Sequence, residues 1–247
     1  MVNDSLGDRM KEYENAYRPY LTKRTPVIIR IDGKAFHSYT RHFKRPYDMT
    51  FKHCMWNTAL QLCKNIMNAK MAFVQSDEIS ILMVDFNRIY TDAWFGNGLN
   101  KIVSISAAMA TLYFNRLVAE TEYKDNKYDA MFDSRAFNVS VNDVANYFVW
   151  RQNDVERNSI EMAGRTYFSH KQLNNVNCRQ IKEKLLAEHN VNWEDYPAFF
   201  RRGICIVSNK VEQENSIKKK TVWSIDDNIP LFKEDRNYIE RYLNIED

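Results

Sequence analysis

The pattern of hydrophobic and polar positions divides the beginning of the chain into a helix and a strand. Residues 4–20 carry apolar side chains at helical spacing among charged ones, which predicts an amphipathic helix. Pro26 interrupts this pattern, and a β-branched run follows it at residues 27–31. Such a run is typical of a buried strand, which we expect to end at Asp32 and Gly33.

Five further segments extend this order of elements. Residues 49–70 and 100–118 have helical periodicity, whereas residues 71–74, 79–84 and 136–139 are short apolar runs typical of strands. The first two of these runs flank a short polar insert and therefore predict a β-hairpin. Together with the first strand they form a ferredoxin-type βαββαβ core. The predicted fold class is therefore α+β, with added helices and a C-terminal hairpin.

The chain after residue 140 is mainly helical by pattern. Residues 180–190 predict a helix. Residues 199–223 resemble a second hairpin whose loop carries the lysines at 218–220. Residues 231–245 predict a short final helix.

Length and composition are typical of a globular protein. The chain has 247 residues, of which 45% are hydrophobic and 27% charged, with few glycines and prolines for a flexible linker. We expect residues 1–140 to form a core that includes the N-terminal helix, and residues 141–247 to pack on it as an extension. No apolar run approaches the ~20 residues of a membrane span, and the polar N-terminus does not resemble a signal peptide. We therefore expect a cytoplasmic protein.

Charge and cysteine content limit the other classes of function. A net charge of +3 permits nucleic-acid binding but does not demonstrate it, because a local basic patch matters more than the sum. None of the four cysteines forms a Cys-x-x-Cys pair, so neither a zinc site nor a disulfide framework is supported. Cys54 and Cys63 fall in an apolar pattern and are expected to be small core residues.

Acidic residues stand at the ends of predicted strands. Asp32 follows the first strand, and Asp77 and Glu78 lie in the predicted turn of the hairpin. In a split βαββαβ sheet these strands are neighbours, so Asp32 and Asp77 are expected at one edge. Two converging carboxylates can bind the pair of divalent cations used for nucleotidyl transfer. An Asp after a strand is also a common turn or capping residue, and Glu78 could face outward.

The segment after Asp32 is a candidate phosphate-binding loop. Amide groups exposed after a strand can bind a triphosphate, and residues 33–37 follow the first strand. A single glycine is weak evidence, and no P-loop motif is present. His37 could orient a ligand or be structural.

Six segments in chain order resemble the tRNA(His) guanylyltransferase family. They include Gln-Ser-Asp-Glu-Ile-Ser, Phe-Asp-Ser-Arg and Trp-Arg-Gln-Asn-Asp, and several motifs in order are far more specific than any one of them. The resemblance runs from about residue 10 to residue 207. The segments are at residues 27–37, 43–48, 75–80, 132–135, 150–154 and 200–203.

This resemblance implies a polymerase-palm-like core that adds nucleotides to the 5′ end of a tRNA in the 3′-to-5′ direction. The 5′ end is first activated, by adenylylation or as a triphosphate, and the 3′-hydroxyl of an incoming nucleotide then attacks it. The resemblance also implies GTP and ATP as substrates, two Mg²⁺ ions as cofactors, tRNA as partner, and a homo-oligomer such as a tetramer.

The resemblance further implies roles for individual residues. Asp32 and Asp77 would be catalytic and would bind the two Mg²⁺ ions together with the Gly33 carbonyl. Arg45, in the position of a family lysine, and Lys101 would face the triphosphate. The nucleotide-binding residues implied by the resemblance are Gly33, Lys34, Ala35, Phe36, His37, Arg45, Ser76, Lys101 and Asn158.

One segment departs from the tRNA(His) enzymes. After Trp-Arg-Gln-x-Asp those enzymes have His-Ile-Asn-Asn-Leu-Tyr-Asn, whereas residues 156–162 here are Glu-Arg-Asn-Ser-Ile-Glu-Met. This form is similar to the bacterial, archaeal and viral branch, which is associated with template-dependent repair of truncated tRNA 5′ ends. Gly98 also stands where eukaryotic members have a phosphate-contacting arginine, which implies different triphosphate contacts.

The amino-acid sequence alone leaves several alternatives open, for individual residues and for the function. Asn158 could face a nucleotide or pack within a helix. Trp150, Arg151 and Gln152 could be structural, with the indole buried and the guanidinium paired to Asp154. The chain could also be a tRNA(His) guanylyltransferase proper, or another palm-type enzyme such as a nucleotide cyclase or a DNA-templated polymerase. The non-enzymatic alternative is a protein that binds tRNA as a module or scaffold without catalysing a reaction.

Overall fold

One antiparallel six-stranded sheet organises the protein in a computed structural model that describes residues 5–213 and 216–244. The strands are β1 Val27–Gly33, β2 Ala69–Gln75, β3 Glu78–Met83, β4 Phe132–Asn138, β5 Ile204–Gln213 and β6 Ser216–Asp226. Across the sheet their order is β4-β1-β3-β2-β5-β6. The first four strands therefore have the ferredoxin-like order, and the predicted α+β fold with its βαββαβ core is confirmed.

Helices cover both faces of this sheet. They are α1 Leu6–Asn15, α2 Phe36–Tyr39, α3 Met49–Asn65, α4 Leu99–Val118, α5 Val144–Tyr167, α6 His170–Leu173, α7 Cys178–His189, α8 Ala198–Arg202 and α9 Asn237–Glu240. Helices α3 and α4 pack on one face, and the first half of α5 packs on the other. The second half of α5 packs with α7 and α8 in a separate apolar cluster.

The alternation of side chains along β1 explains why both faces are covered. Ile29 and Ile31 are fully buried against α3 and α4, whereas Ile28 is fully buried on the α5 side. A strand buried on both faces is a continuous apolar run rather than an alternating one. This burial positions the polar end of β1, beginning at Asp32, at the sheet edge.

The start of α3 is held by a side-chain cap. The Asp48 carboxylate accepts hydrogen bonds from the amides of Phe51 at 2.9 Å and Lys44 at 3.1 Å. The Tyr123 hydroxyl donates to the same carboxylate at 2.5 Å. These bonds satisfy amides that a helix start leaves without partners, and they hold the segment before α3 in place.

Two of the cysteines are core residues, as their apolar surroundings in the sequence predicted. Cys54 and Cys63 are buried in the core as predicted, and the cysteines of the described chain are all free. Between residues 5 and 244, as far as they are described, no helix combines the length and the hydrophobicity needed to cross a membrane.

Several predicted boundaries are wrong. Helix α1 ends at Asn15 and buries none of its side chains, because no other element of the described chain covers its apolar stripe. Residues 198–202 form a helix rather than the start of a hairpin strand. The final helix is limited to Asn237–Glu240, and residues 245–247 of its predicted range lie outside the described chain.

Two further corrections concern strands. Strand β4 begins at Phe132 rather than residue 136, because polar side chains of its first half face solvent and hide the strand pattern. The lysines at residues 218–220 were expected in a loop, but Ser216–Asp226 is one strand that pairs with β5. Of these lysines, the structure describes the side chain of Lys220, which is exposed.

Candidate active site

The two predicted carboxylates lie together at one edge of the sheet. Asp32 in β1 pairs in register with Glu78, the first residue of β3. Asp77 comes immediately before Glu78 in the turn between β2 and β3. The Gly33 amide donates a hydrogen bond to the Asp77 carbonyl oxygen at 3.2 Å, which ties the end of β1 to this turn.

The turn that carries Asp77 is short and strained. It consists of Ser76 and Asp77 alone, since β2 ends at Gln75 and β3 begins at Glu78. Ser76 has a left-handed φ of 46°. Such a conformation costs a non-glycine residue about 1–3 kcal/mol and persists only where surrounding structure enforces it. The two paired strands supply that enforcement.

Gly33 is required by the close approach of an aromatic ring. A Cβ atom at this position would lie 2.3 Å from the Phe36 ring. Phe36 is itself buried in an aromatic cluster that includes Phe114 and Phe132, so its ring is not free to move away. Any larger residue at position 33 therefore displaces the segment that follows β1.

The segment after Gly33 presents unbonded amides. Ala35 has a left-handed φ of 56° and precedes the short helix α2. Within the described chain, the amides of Ala35, Phe36 and His37 donate no hydrogen bond. Consecutive amides of this kind can bind an anion such as a phosphate.

A cavity of about 710 Å³ lies between this segment and the second half of α5. We call it the main cavity. Its volume is in the range of small-molecule binding sites, about 300–1,000 Å³. The predicted site residues on its wall are Gly33, Ala35, Phe36, His37, Arg45, Ser76, Asp77 and Asn158.

Three predicted site residues do not line the main cavity. Asp32 is half-buried and lies beside it, close enough for its charge to affect Asp77. Lys34 is exposed next to the wall. Lys101 is exposed on α4, with its ammonium 5.9 Å from the ring centre of Phe95. The structure therefore brings most, but not all, of the predicted site into one place.

Asn158 faces the main cavity rather than the interior of the helical cluster. It is exposed on α5, whereas its neighbours Ser159 and Ile160 are buried. The same side of α5 contributes Glu161 and Arg165, which pair at 3.0 Å. The side chain of Asn158 therefore lines the cavity wall and is not packed inside the helical cluster.

Sequence reasoning missed three cationic residues of the cavity wall, Lys44, Lys52 and Arg165. Lys52 projects from the first turns of α3 into the main cavity, on the side of Asp77. The apolar periodicity of α3 marks only its buried face, so nothing in the local sequence distinguishes Lys52 from the exposed Lys64 of the same helix.

Burial and mutual repulsion destabilise the charged forms of both carboxylates. Burial raises the pKa of Asp77 to about 6, with a further contribution from the Asp32 charge, while Lys52 acts in the opposite direction. Burial also raises the pKa of Asp32, and the charges of Glu78 and Asp133 add to this effect. Both carboxylates therefore favour a bound cation, which would remove the repulsion between them.

The donor set suits a hard cation that retains other ligands. Carboxylate and carbonyl oxygens are the protein ligands that Mg²⁺ prefers, and it commonly takes only one or two carboxylates together with waters and substrate phosphates. Among the described residues no three acidic, histidine or cysteine side chains form a complete metal cage. Asp32, Asp77 and the Gly33 carbonyl thus fit a metal site that the substrate completes.

The raised pKa of Asp77 predicts a pH-dependent stability of the metal-free protein. The folded chain binds a proton at Asp77 that the unfolded chain has released, so stability should fall as pH rises from about 4 to about 6. The loss should be about 2 kcal/mol. Urea denaturation with a chelator at pH 4.5 and pH 7 measures it. Asp77→Asn should lack this part of the pH dependence, and an identical dependence in both proteins would contradict the assignment.

Glu78 is buried and paired, so the alternative that it faces outward is wrong. The Arg151 guanidinium on α5 donates to both of its carboxylate oxygens, at 2.8 and 2.7 Å. Arg151 also donates to Asp154 at 2.6 Å, as the structural interpretation of this motif predicted. The bidentate pair fixes the start of β3, and with it the turn that carries Asp77, against α5.

The other two residues of this motif differ from each other. The structural alternative placed the Trp150 indole in the interior, but this side chain is 50% exposed and stacks near the guanidinium of Arg151, 4.5 Å from the ring centre. Gln152 is buried and structural. Its side chain donates to the Pro230 carbonyl at 3.0 Å and accepts from the Phe232 amide at 2.7 Å, which connects α5 to the C-terminal segment.

Comparisons with known proteins agree with this geometry. A family model described as tRNA(His) guanylyltransferase matches residues 7–140, which is more than half of the chain. A bacterial tRNA(His) guanylyltransferase-like protein solved in complex with ATP is 44% identical, with a TM-score of 0.90 over 98% of this chain and 100% of that chain. A bacterial protein of the same description solved with GTP is 41% identical, with a TM-score of 0.80 over 97% of this chain and 99% of that one.

A curated relative extends the similarity to a eukaryote. The probable tRNA(His) guanylyltransferase of Dictyostelium discoideum is 26% identical over 76% of this chain and 77% of its own length. The region matched by the family model includes β1 and the β2–β3 turn, where Asp32 and Asp77 lie. The chain therefore belongs to the tRNA(His) guanylyltransferase family and is a nucleotidyltransferase.

Proposed function

We propose that the protein restores missing nucleotides at the 5′ end of tRNA in a template-dependent, Mg²⁺-dependent reaction. The observation that carries this proposal is the meeting of Asp32 and Asp77 beside the main cavity, whose wall offers unbonded amides at residues 35–37. The similar structures that contain ATP and GTP support nucleoside triphosphates as its ligands.

The proposed reaction joins a nucleotide to an activated tRNA 5′ end. The 3′-oxygen of the incoming nucleotide forms a bond to the 5′ phosphorus of the tRNA and gives up its proton. The bond from that phosphorus to AMP or pyrophosphate breaks, and this group leaves with the bonding electron pair. Mg²⁺ bound by Asp32, Asp77 and the Gly33 carbonyl would activate the hydroxyl and neutralise charge on the leaving group.

The remaining residues would bind and orient the nucleotide. The amides of residues 35–37 and the Arg45 guanidinium would hold the triphosphate, where fixed donors need no reorganisation during the reaction. Ser76 would contact the nucleotide from the turn, and Asn158 from the opposite wall. Positioning of this kind supplies much of the rate increase in phosphoryl and nucleotidyl transfer.

The segment on α5 favours repair over recognition of tRNA-His alone. Its Arg-Asn-Ser-Ile form lacks the histidine of the tRNA(His) enzymes. Arg157 pairs with Asp154 at 2.6 Å, and the Ser159 hydroxyl accepts from the Trp193 indole at 3.2 Å. Arg157 is thus held on the surface of α5 and Ser159 inside the helical cluster, so within the Arg-Asn-Ser-Ile stretch Asn158 is the residue that lines the cavity.

The test is addition to tRNA transcripts that carry a 5′-triphosphate and lack their first nucleotide. Purified protein, Mg²⁺ and all four nucleoside triphosphates are supplied, and gel mobility and sequencing identify the product. We expect the added nucleotide to be complementary to the opposing nucleotide of the acceptor stem, and to change when that nucleotide is changed. A chelator should abolish addition.

Other outcomes identify the alternatives. Addition of guanosine whatever the opposing nucleotide, and to tRNA-His alone, would indicate a tRNA(His) guanylyltransferase proper. Binding of tRNA without any addition to several truncated transcripts would contradict the proposal and favour a binding protein.

A further inference from the structure

The main cavity contains a cationic side chain for which the family motifs provide no role. Lys52 lies on α3, one turn after the capping residue Asp48, and outside the segments that resemble the family. Its backbone is held rigidly, since the neighbouring Phe51 and Met55 are buried in the core. The point at which its side chain enters the cavity wall is therefore set by the fold.

Lys52 has no ionic or hydrogen-bonding partner for its side chain. Within the described chain, the Lys52 ammonium forms no ion pair within 4.0 Å and no side-chain hydrogen bond. Two other cations of the wall have partners, since Arg165 pairs with Glu161 and the Arg45 guanidinium reaches the Thr40 carbonyl at 3.5 Å, whereas Lys44 is exposed to solvent. A partly buried charge without a partner is unfavourable, which suggests that a ligand supplies the partner.

The charge of Lys52 persists at neutral pH. Burial lowers the pKa of its amine to about 8, and the Asp77 carboxylate opposes that change. In the metal-free protein the amine is therefore mostly protonated at pH 7.

Asp77 alone does not account for this cation. If Asp77 and Asp32 bind divalent cations, as proposed above, the positive charge of the metal repels Lys52. The ammonium then needs an anionic group between itself and the metal. The triphosphate is the anion that the proposed reaction brings to this side of the cavity.

We propose that Lys52 is a phosphate-binding residue of the main cavity, whose ammonium contacts the triphosphate of the bound nucleotide on the side of Asp77. This inference rests on the proposed function for the identity of the ligand. It adds a contact from α3 to those proposed from residues 35–37 and Arg45, so that the triphosphate is held from two walls.

Nucleotide binding tests the inference without tRNA or turnover. The Kd of Mg²⁺-ATP is measured by calorimetry for the wild type and for Lys52→Met, which keeps most of the unbranched side chain and removes its charge. Loss of a charge-assisted hydrogen bond should raise the Kd by about tenfold or more. Lys52→Arg should stay within about threefold of the wild type because it keeps a cation.

Two controls separate phosphate binding from other effects. Lys64→Met removes an exposed charge from the same helix and should leave the Kd unchanged. Inorganic tripolyphosphate, used as a competitor, should lose affinity for Lys52→Met by a similar factor to ATP, because it has the phosphates and no nucleoside. The thermal midpoint of each variant confirms that it is folded.

Three results would overturn the inference. Unchanged Mg²⁺-ATP binding by Lys52→Met would mean that Lys52 contacts no phosphate. Tighter binding would mean that it serves only to neutralise Asp77. Loss of ATP binding with unchanged tripolyphosphate competition would place the contact on the nucleoside. These binding measurements use no tRNA and can be made even if the wild type adds no nucleotide to tRNA. Failure of the proposed function, which the addition assay detects, is therefore distinguished from failure of this inference.

Discussion

Asp77→Asn is expected to reduce nucleotide addition by about a thousandfold or more, while the chain remains folded. The substitution keeps the shape of the side chain and removes the charge that the proposed metal site requires. Asp32→Asn should have an effect of similar size, because the two carboxylates act on the same ions. Single-turnover addition to a truncated tRNA, at saturating Mg²⁺ and nucleotide, measures the loss in the chemical step.

Asp133→Asn is the matched control for these two variants. Asp133 lies opposite Asp32 in register on β4, but its side chain is 58% exposed and pairs with Arg135 at 3.0 Å. It should retain activity within about tenfold, since removing an exposed, screened charge has a small effect. If Asp77→Asn kept activity comparable to that of Asp133→Asn, the assignment of Asp77 to the metal site would be wrong.

Although Asp77→Asn should lower activity, it should raise the stability of the metal-free protein. At neutral pH without metal, burial and the nearby Asp32 disfavour the charged form of Asp77. Asp77→Asn removes that unfavourable charge and should therefore stabilise the metal-free fold. Loss of activity together with a gain in stability is the pattern of a residue retained for chemistry rather than for folding.

The sequence contained enough to predict the sheet and the position of its carboxylates. The β-branched run before Asp32 has few alternatives to a buried strand, and Asp77 lies between two apolar runs that form a hairpin. Once the strand order is βαββαβ, the ends of β1 and the hairpin meet. The predicted proximity of Asp32 and Asp77 thus depended on local pattern and topology, both of which are readable.

The walls of the cavity could not be predicted in the same way. Lys52 and Arg165 lie on helices whose apolar periodicity identifies a buried face but not what the other face meets. The pairing of Glu78 with Arg151 joins residues 73 positions apart, and no local signal distinguishes it from the pairing of Arg151 with Asp154. The alternative with a buried Trp150 is wrong in this detail, although a large aromatic residue in a helix is usually buried.

Arg151→Met is expected to destabilise the protein by about 3–5 kcal/mol. The Arg151 and Glu78 side chains are only 8% and 11% exposed, and both nitrogen-to-oxygen distances of their bidentate pair are below 3 Å. The variant leaves the Glu78 carboxylate buried without a compensating charge, and it also removes one of the two partners of Asp154. Urea denaturation at neutral pH measures the loss in the free energy of unfolding.

A double variant shows whether the stability loss in Arg151→Met comes from the uncompensated Glu78 charge or from the lost packing of the arginine side chain. Glu78→Gln/Arg151→Met removes both charges and should recover a large part of the loss, because the main cost is the uncompensated carboxylate. Arg165→Met on the same helix removes a guanidinium that is 67% exposed and should cost less than about 1 kcal/mol. A loss in Arg151→Met no larger than in Arg165→Met would show that the pair does not hold the turn of Asp77 against α5. The larger loss that we expect would make Arg151 the residue that positions the catalytic edge of the sheet.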